Sequence, residues 1–370
     1  MREAQTATNL DHARSLAHAF INALMGAEIK KLEGCPDIGY LEHIPLLRTG
    51  NKKTIVLTKE VEQFWMACFH WSRTYRVCAV GSPGAGKSTT MMYLIRILLE
   101  HGKKVVYLHR TQAKGSYYYV WTKNEDGNYT TAIHPEASPT HHIINWDNGD
   151  DVGDTYYLCD PGDTLTSCNP SPSLAASVVI NASGDDHRHW GDRNFTKKKE
   201  VPSEQYGKML FFPLPKLQQL RDACHLFSKS ATKEQVDKRH RMFGCIPRHV
   251  FADESEVEDL LETQEDDIAM MTADMTRRIV DNTAVLDNNN RNCPRSSVMG
   301  MTSDPSDFTE PKAIYISDLV TEQVARRHMK DLWNEVSAAE NSSTRGLLFE
   351  SYTNGRTTKC SNAQRMWKVK

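Results

Sequence analysis

Nothing in the sequence approaches the ~18 consecutive apolar residues that a membrane-spanning helix requires. The first 31 residues are amphipathic and mixed in charge, without the apolar centre of a secretory signal. Charge of one sign is also lacking. Lys and Arg number 45 against 47 Asp and Glu, a formal net charge of −2. No global pull toward nucleic acid results, and any such contact has to be local. The nine cysteines (35, 68, 78, 159, 168, 224, 245, 293 and 360) never form a CxxC pair. Scattered and odd in number, they argue against a disulfide framework or a zinc site and suit a reducing compartment. The sequence thus predicts a protein without a membrane partner, resident in the nucleus or cytoplasm, with a secreted route left open. No internal repeat is present, and the guanine-specifying N-K-x-D is missing: Asn51-Lys-Lys-Thr54 and Thr122-Lys-Asn-Glu125 both fail it. The apolar share, 39%, is somewhat low, yet the chain holds 7 Trp, 13 Tyr and 11 Phe. Those suffice for a core that a disordered chain would lack.

At 370 residues and 42.0 kDa, roughly two or three domains are expected. Residues 9–31 read as an amphipathic helix on Leu16, Phe20, Ile21, Leu24 and Met25, closed by Gly34. A polar stretch with Pro36, Gly39, Pro45 and Gly50 follows. Thr58 reads as the cap of a second helix carrying Phe64, Trp65, Cys68, Phe69 and Trp71. Strands are predicted at 75–80, 103–108, 155–159, 177–182, 208–212 and 313–316. Helices are predicted at 88–101, from 217 on, around Val236–Phe243, over 254–282 and over 318–340, with a polar linker at 287–292. Two alternating runs, 116–121 and 129–133, flank the turn-rich Asn124-Glu-Asp-Gly127 and predict a hairpin inserted in the core. Strands alternating with helices predict an α/β fold with a parallel sheet flanked by helices. The divisions are an N-terminal helical region (1–55), a nucleotide-binding core (56–212), a helical lid (213–255) and a mainly helical C-terminal region (256–370).

The segment Gly81, Ser82, Pro83, Gly84, Ala85, Gly86, Lys87, Ser88 matches G-x-x-x-x-G-K-[ST]. Glycines let backbone N–H groups point into such a loop, and the positive end of the following helix adds to them. Lys87 is expected to reach β- and γ-phosphates, Ser88 to ligate Mg²⁺, and Thr89 to continue the site into the helix. An apolar strand before the motif and a helix after it are the context this chemistry demands. The chain is therefore expected to be a P-loop NTPase that binds ATP with Mg²⁺.

The metal needs a second oxygen. Tyr156-Tyr-Leu-Cys-Asp160 is an apolar strand ending in an acid, which makes Asp160 the candidate, with Asp163 its nearest rival. Many ATPases place a water-activating Glu next; here Pro161 follows, so the general base is unassigned and slow hydrolysis is expected. Asn181 and Ser183 end the next strand, either to touch the γ-phosphate or to make a simple turn. Asp150-Asp-Val-Gly153 fits D-x-x-G, a pattern too short to carry weight. His141-His142 and His187-Arg-His189 lack cysteine partners at ligand spacing and read as solvated loops. Lys197-Lys-Lys199 reads the same way, with a phosphate-backbone contact as its alternative.

Phe243-Gly-Cys-Ile-Pro-Arg-His-Val-Phe251 resembles the lid element of the AAA-like and STAND-like ATPases. More closely, it resembles the F-G-x-I-P-R segment of Crinkler effectors and trypanosomal retrotransposon hot spot proteins. Val80–Ser88 is similar to their loop, Tyr156–Asp160 to their W-Y-L-x-D strand with Tyr in place of Trp, and Phe211-Phe-Pro-Leu-Pro215 to the approach to their lid. The order holds from about Phe64 to Phe251, roughly half the chain. The resemblance implies an ATPase module and, beyond it, a nuclease-like domain. Arg345-Gly-Leu-Leu-Phe-Glu350 resembles the helix opening that domain, but no D…ExK core is found after it, and the Leu-Phe-Leu-Ala-Lys targeting segment of Crinklers is not found near residue 1. Within the lid, Arg248 is the candidate γ-phosphate sensor, a surface arginine being the bland alternative. The expected function is a regulatory ATPase working with nucleic acid, a protein partner or further copies of itself. A small-molecule or nucleoside kinase and a weakly hydrolysing interaction module remain as alternatives.

Overall fold

The computed structural model describes residues 2–47, 50–109, 117–135, 154–160, 177–183, 207–280 and 297–327. Helix α1 (Arg2–Gly26) leads into a three-stranded antiparallel sheet, β1 (Lys30–Leu32), β2 (Cys35–Pro45) and β3 (Lys52–Thr58). The segment 1–55 is therefore not simply helical. Gly34 closes the β1–β2 turn at φ +73° rather than a helix, which ends at Gly26. Strand β2 escapes a sequence reading because a bulge between Leu41 and Ile44, with His43 at φ +58°, breaks its alternation.

Strand β3 runs into α2 (Lys59–Trp71). Thr58 caps it, its hydroxyl accepting the Val61 N–H, and Glu60 and Glu62 stand in the first turn. Val61, Phe64, Trp65, Cys68 and Phe69 form the buried stripe that i, i+3, i+4 spacing dictates. The central sheet has seven strands in the order β10–β4–β9–β8–β5–β6–β7: β4 (Val77–Gly81), β5 (Lys104–His109), β6 (Tyr117–Lys123), β7 (Tyr129–Pro135), β8 (Thr155–Asp160), β9 (Ser177–Ser183) and β10 (Lys208–Phe211). The first five in that order are parallel, while β6 and β7 form the expected hairpin, antiparallel beside β5. Every residue of β4 and β8 is buried, as befits parallel strands covered on both faces.

Alternation sorts the two faces. Val77, Ala79, Tyr156 and Leu158 share a core with α1, α2 and α3 (Lys87–Glu100), around Trp65, Leu94 and Leu98. Cys78, Val80 and Phe211 face the other way, into a core with Met299, Met301, Ile316 and Val320. That second core is built on a hairpin, β11 (Met299–Asp304) and β12 (Asp307–Tyr315), set among the helices that make up most of the described part of 256–370. The helix expected over 254–282 is two, α8 (Glu254–Met270) and α9 (Ala273–Val280), broken where Met271 takes ψ 135°. The helix expected at 318 is present to 327, where the described residues end. After β10 come four short helices: α4 (Leu217–Asp222), α5 (Cys224–Phe227), α6 (Lys233–Phe243) and α7 (Pro247–Val250). Leu220, Cys224, Val236 and Val250 give them a small core of their own. No described helix is long and apolar enough to cross a membrane.

Candidate functional site

The site lies at the carboxyl edge of the parallel sheet. Strands β9 and β10, consecutive in the chain's sheet, flank β4 on its two sides. The end of β4 is thus central, and crevices beyond the carboxyl ends of such strands are where α/β sheets bind ligands. From Gly81 the chain turns through Gly84 (φ +77°) and Gly86 (φ +103°) into α3. No acidic residue sits in the first turn of this 14-residue helix, so its positive end is not neutralised locally. Lys87, 7% exposed, folds back over the loop. Its Nζ donates to the carbonyls of Gly81 (2.6 Å) and Ser82 (3.0 Å). Two charge-assisted bonds hold the ammonium at the mouth of the loop. Ser88 is exposed and Thr89 half-buried. Deeper, Thr90 Oγ1 donates to the Gly86 carbonyl and accepts the indole N–H of the fully buried Trp65, each at 3.0 Å. The helix start is therefore anchored to α2.

Asp160 ends β8 and is 4% exposed. Cys159 and Cys78 both pair with Ile180, so Asp160 stands level with Ala79, two residues before the loop begins. Alternation places its side chain on the face of Tyr156 and Leu158, the face that α3 covers. His109, its Cα partner on β5, brings Nδ1 to 3.6 Å from Oδ2, an electrostatic contact rather than a hydrogen bond. Ser183 is in register with Gly81; the side chains of Asn181 and Ser183 are not described. Asp163, Pro161, Asp150–Gly153, His141, His142, His187, His189, Lys197–Lys199 and Arg345–Glu350 all lie outside the described residues.

The Phe243–Phe251 segment docks on the loop. Helix α6 ends at Gly244, and Pro247 opens α7 at its first position, where a fixed φ suits it. The Arg248 N–H donates to the Gly84 carbonyl at 3.3 Å. A Cβ on Gly84 would lie 2.8 Å from Arg248 Cβ and 3.1 Å from Ile246 Cγ2, so the approach itself demands glycine. Arg248 is exposed above the loop. Its charge acts on the next residue: burial, then Arg248, lowers His249 to about 4. Burial also pushes the Cys245 thiol up to about 11, with His240 Nε2 at 3.2 Å from its sulfur. Burial thus disfavours the thiolate at Cys245.

No protein-family model and no curated protein matches this chain. The reading of the site therefore stands on its chemistry. The oxygens at hand, the Asp160 carboxylate and the Ser88 hydroxyl, are hard donors. Among the described residues no group of three or more His, Cys, Asp and Glu could hold a metal by itself. One or two protein oxygens completed by substrate phosphates is how Mg²⁺ is ordinarily held, and an all-protein cage is not. The donor set fits Mg²⁺ entering with a nucleotide.

Sequence reasoning missed one part of the site. Ser82, 2% exposed, turns its hydroxyl away from the loop to β11. Its Oγ accepts the Met301 N–H (2.8 Å) and donates to the Met301 carbonyl (3.3 Å). The partner lies 219 residues on, with no local pattern to announce it. A second missed link joins α2 to α4. Glu60 accepts from Lys216 Nζ and Gln219 Nε2, each at 2.8 Å. Burial raises this carboxyl, but the two bonds outweigh it and hold it down to about 2.

Proposed function

We propose that this chain is a P-loop NTPase that binds ATP with Mg²⁺ in the Gly81–Ser88 loop and hydrolyses it slowly, as a regulatory module for a nucleic-acid or protein partner. The observation that carries the reading is the placement of Lys87. A buried ammonium is clasped to the loop's first two carbonyls at the unneutralised start of α3. Backbone N–H groups of the loop bind phosphate oxygens, and Lys87 neutralises them from its fixed mount. Ser88 and Asp160 would hold Mg²⁺ through their oxygens, and the bound ion would offset the charge of the nucleotide's phosphates. Arg248 overlies the loop at Gly84, where its guanidinium reports the γ-phosphate. No carboxylate follows Asp160 directly, which is the reason for expecting slow turnover.

Calorimetric titration of ATP into the wild type and Lys87→Ala tests this. Loss of a charge-assisted contact costs ~1.5–3 kcal/mol, so affinity falls by roughly tenfold or more. Equal affinities would remove the loop from nucleotide binding. Turnover of four nucleotides, alone and with DNA or RNA, then tests the hydrolytic and partner parts.

A further inference from the structure

The histidine beside Asp160 belongs to a continuous stack. Phe20 of α1 packs on Trp121 of β6 (5.5 Å between centroids), and Trp121 stacks on Tyr107 of β5 (6.3 Å, 22°). Tyr107 stacks on His109 (5.7 Å, 16°), and its hydroxyl lies 3.2 Å from Nδ1. Trp121 and Tyr107 are fully buried, and the side chains of His109 and Asp160 are 13% and 5% exposed. The imidazole thus stacks on Tyr107, itself backed by Trp121 and Phe20, and the same nitrogen faces the Asp160 carboxylate. The Nδ1–H tautomer presents a donor to that carboxylate, whereas a lone pair there would repel it.

We propose that His109 is a positioning residue for Asp160: braced by Tyr107 and Trp121, it holds the carboxylate in the one orientation that ligates the nucleotide-bound metal. The proposal rests on the reading that Asp160 is the metal ligand. It gives the hairpin β6–β7 a part in the site, since β6 supplies Trp121. Outer partners that orient a ligating group are worth about 10–100-fold in metal affinity.

The test uses the full chain and Mn²⁺ as a paramagnetic probe. Mn²⁺ affinity of the protein–ATP complex is read by electron paramagnetic resonance, and metal-free ATP affinity by calorimetry. His109→Phe keeps a stacking ring and removes the N–H. It is expected to weaken Mn²⁺ binding about 10–100-fold while metal-free ATP affinity stays within about twofold, a readout of the intact loop. His109→Asn places an amide N–H near the position of Nδ1 and is expected to restore Mn²⁺ affinity to within about threefold. Wild-type Mn²⁺ affinity in His109→Phe overturns the proposal. So does a His109→Asn as weak as His109→Phe, because ring packing alone would then be at work. The underlying reading fails separately: a wild type that binds no ATP, or an Asp160→Asn with unchanged Mn²⁺ affinity, removes the ligand and the positioning role with it.

Discussion

Replacing Gly244 with Ala separates a conformational corner from a close-packed joint. Gly244 takes φ +65° with ψ −145°, a region that L side chains scarcely enter, and such backbone costs of order 1–3 kcal/mol. The added methyl would lie 1.6 Å from the Ile316 carbonyl oxygen and 2.6 Å from its carbon. Backbone cannot rotate away as a side chain does. Moving residue 316 strains the Ile316 N–H bond to the Val298 carbonyl (2.9 Å) and the Ser317 hydroxyl bond to the Met242 carbonyl (2.8 Å). Overpacking of this kind adds ~1–3 kcal/mol, for a total of about 2–6 kcal/mol. The control is Gly102→Ala. Gly102 also has positive φ, +70°, but a methyl there meets nothing within 4 Å, so only the conformational cost remains. Hydrogen exchange read by mass spectrometry locates the effect. Opening of 243–251 and 297–317 should rise by roughly 30-fold or more in Gly244→Ala, at 1.4 kcal/mol per decade. Peptides of β5 should not change. Protection within threefold of wild type in Gly244→Ala, or equal losses in the two variants, would refute the close packing of this joint.

Asp160→Asn should abolish Mg²⁺-dependent turnover while metal-free nucleotide affinity, measured by calorimetry, is retained; full turnover would remove Asp160 from the metal. Arg248→Ala should cost ATP its affinity advantage over ADP by roughly tenfold or more, the worth of a charge-assisted contact, with Arg248→Lys restoring little because the planar fork is lost. A preserved ATP preference would leave Arg248 as a surface residue. Stability should also fall as pH drops from 6.5 toward 4, because the unfolded chain takes up a proton at His249 that the folded chain refuses until about 4. The loss is on the order of 3 kcal/mol, and thermal unfolding of His249→Gln across that range should show a flatter profile.

What was legible in the sequence is what depends on neighbours along the chain. The strand–loop–helix around Gly81–Ser88, the Thr58 cap, the hairpin over 117–135 and the acid-ended strand at Asp160 all follow from local period and turn chemistry. Each matches the structure to within a residue or two. The sheet order was not legible: it depends on which strand enters beside which, and β9 lies between β4 and β8, both of which precede it in the chain. Strand β2 was lost to its bulge, β11 went unread, and of β12 only the end at 313–315 was legible, because Pro311 and its exposed outer positions dilute the apolar alternation before that. His109 carried no signal because nothing near it in sequence marks it. It matters only once parallel pairing sets it opposite Asp160.

These non-local links close on themselves. Ser82 is bonded to Met301 on β11, and β11 pairs with β12 from Met299–Tyr315 inward. Residue 316, just past β12, fills the space against Gly244, and Gly244 leads through Ile246 to Arg248, whose N–H returns to Gly84. Ser303 Oγ and Thr302 Oγ1 tie the same hairpin to Phe211 and Leu214, at the end of β10 and the entry to the helices. Two loop residues separated by one are therefore gripped from two directions by elements that also grip each other. In such a ring a link that moves without the others leaves buried polar groups unpaired, at ~1–3 kcal/mol each. A response of Arg248 to phosphate, on the function proposed above, is accordingly a response of the hairpin as well. The helix that follows at 318–327 is joined to it directly through Ser317, whose Oγ accepts the Val320 N–H. The loop at Gly84 and the start of the C-terminal region thus share one mechanical unit, because the second core is shared by β4, β11 and that helix.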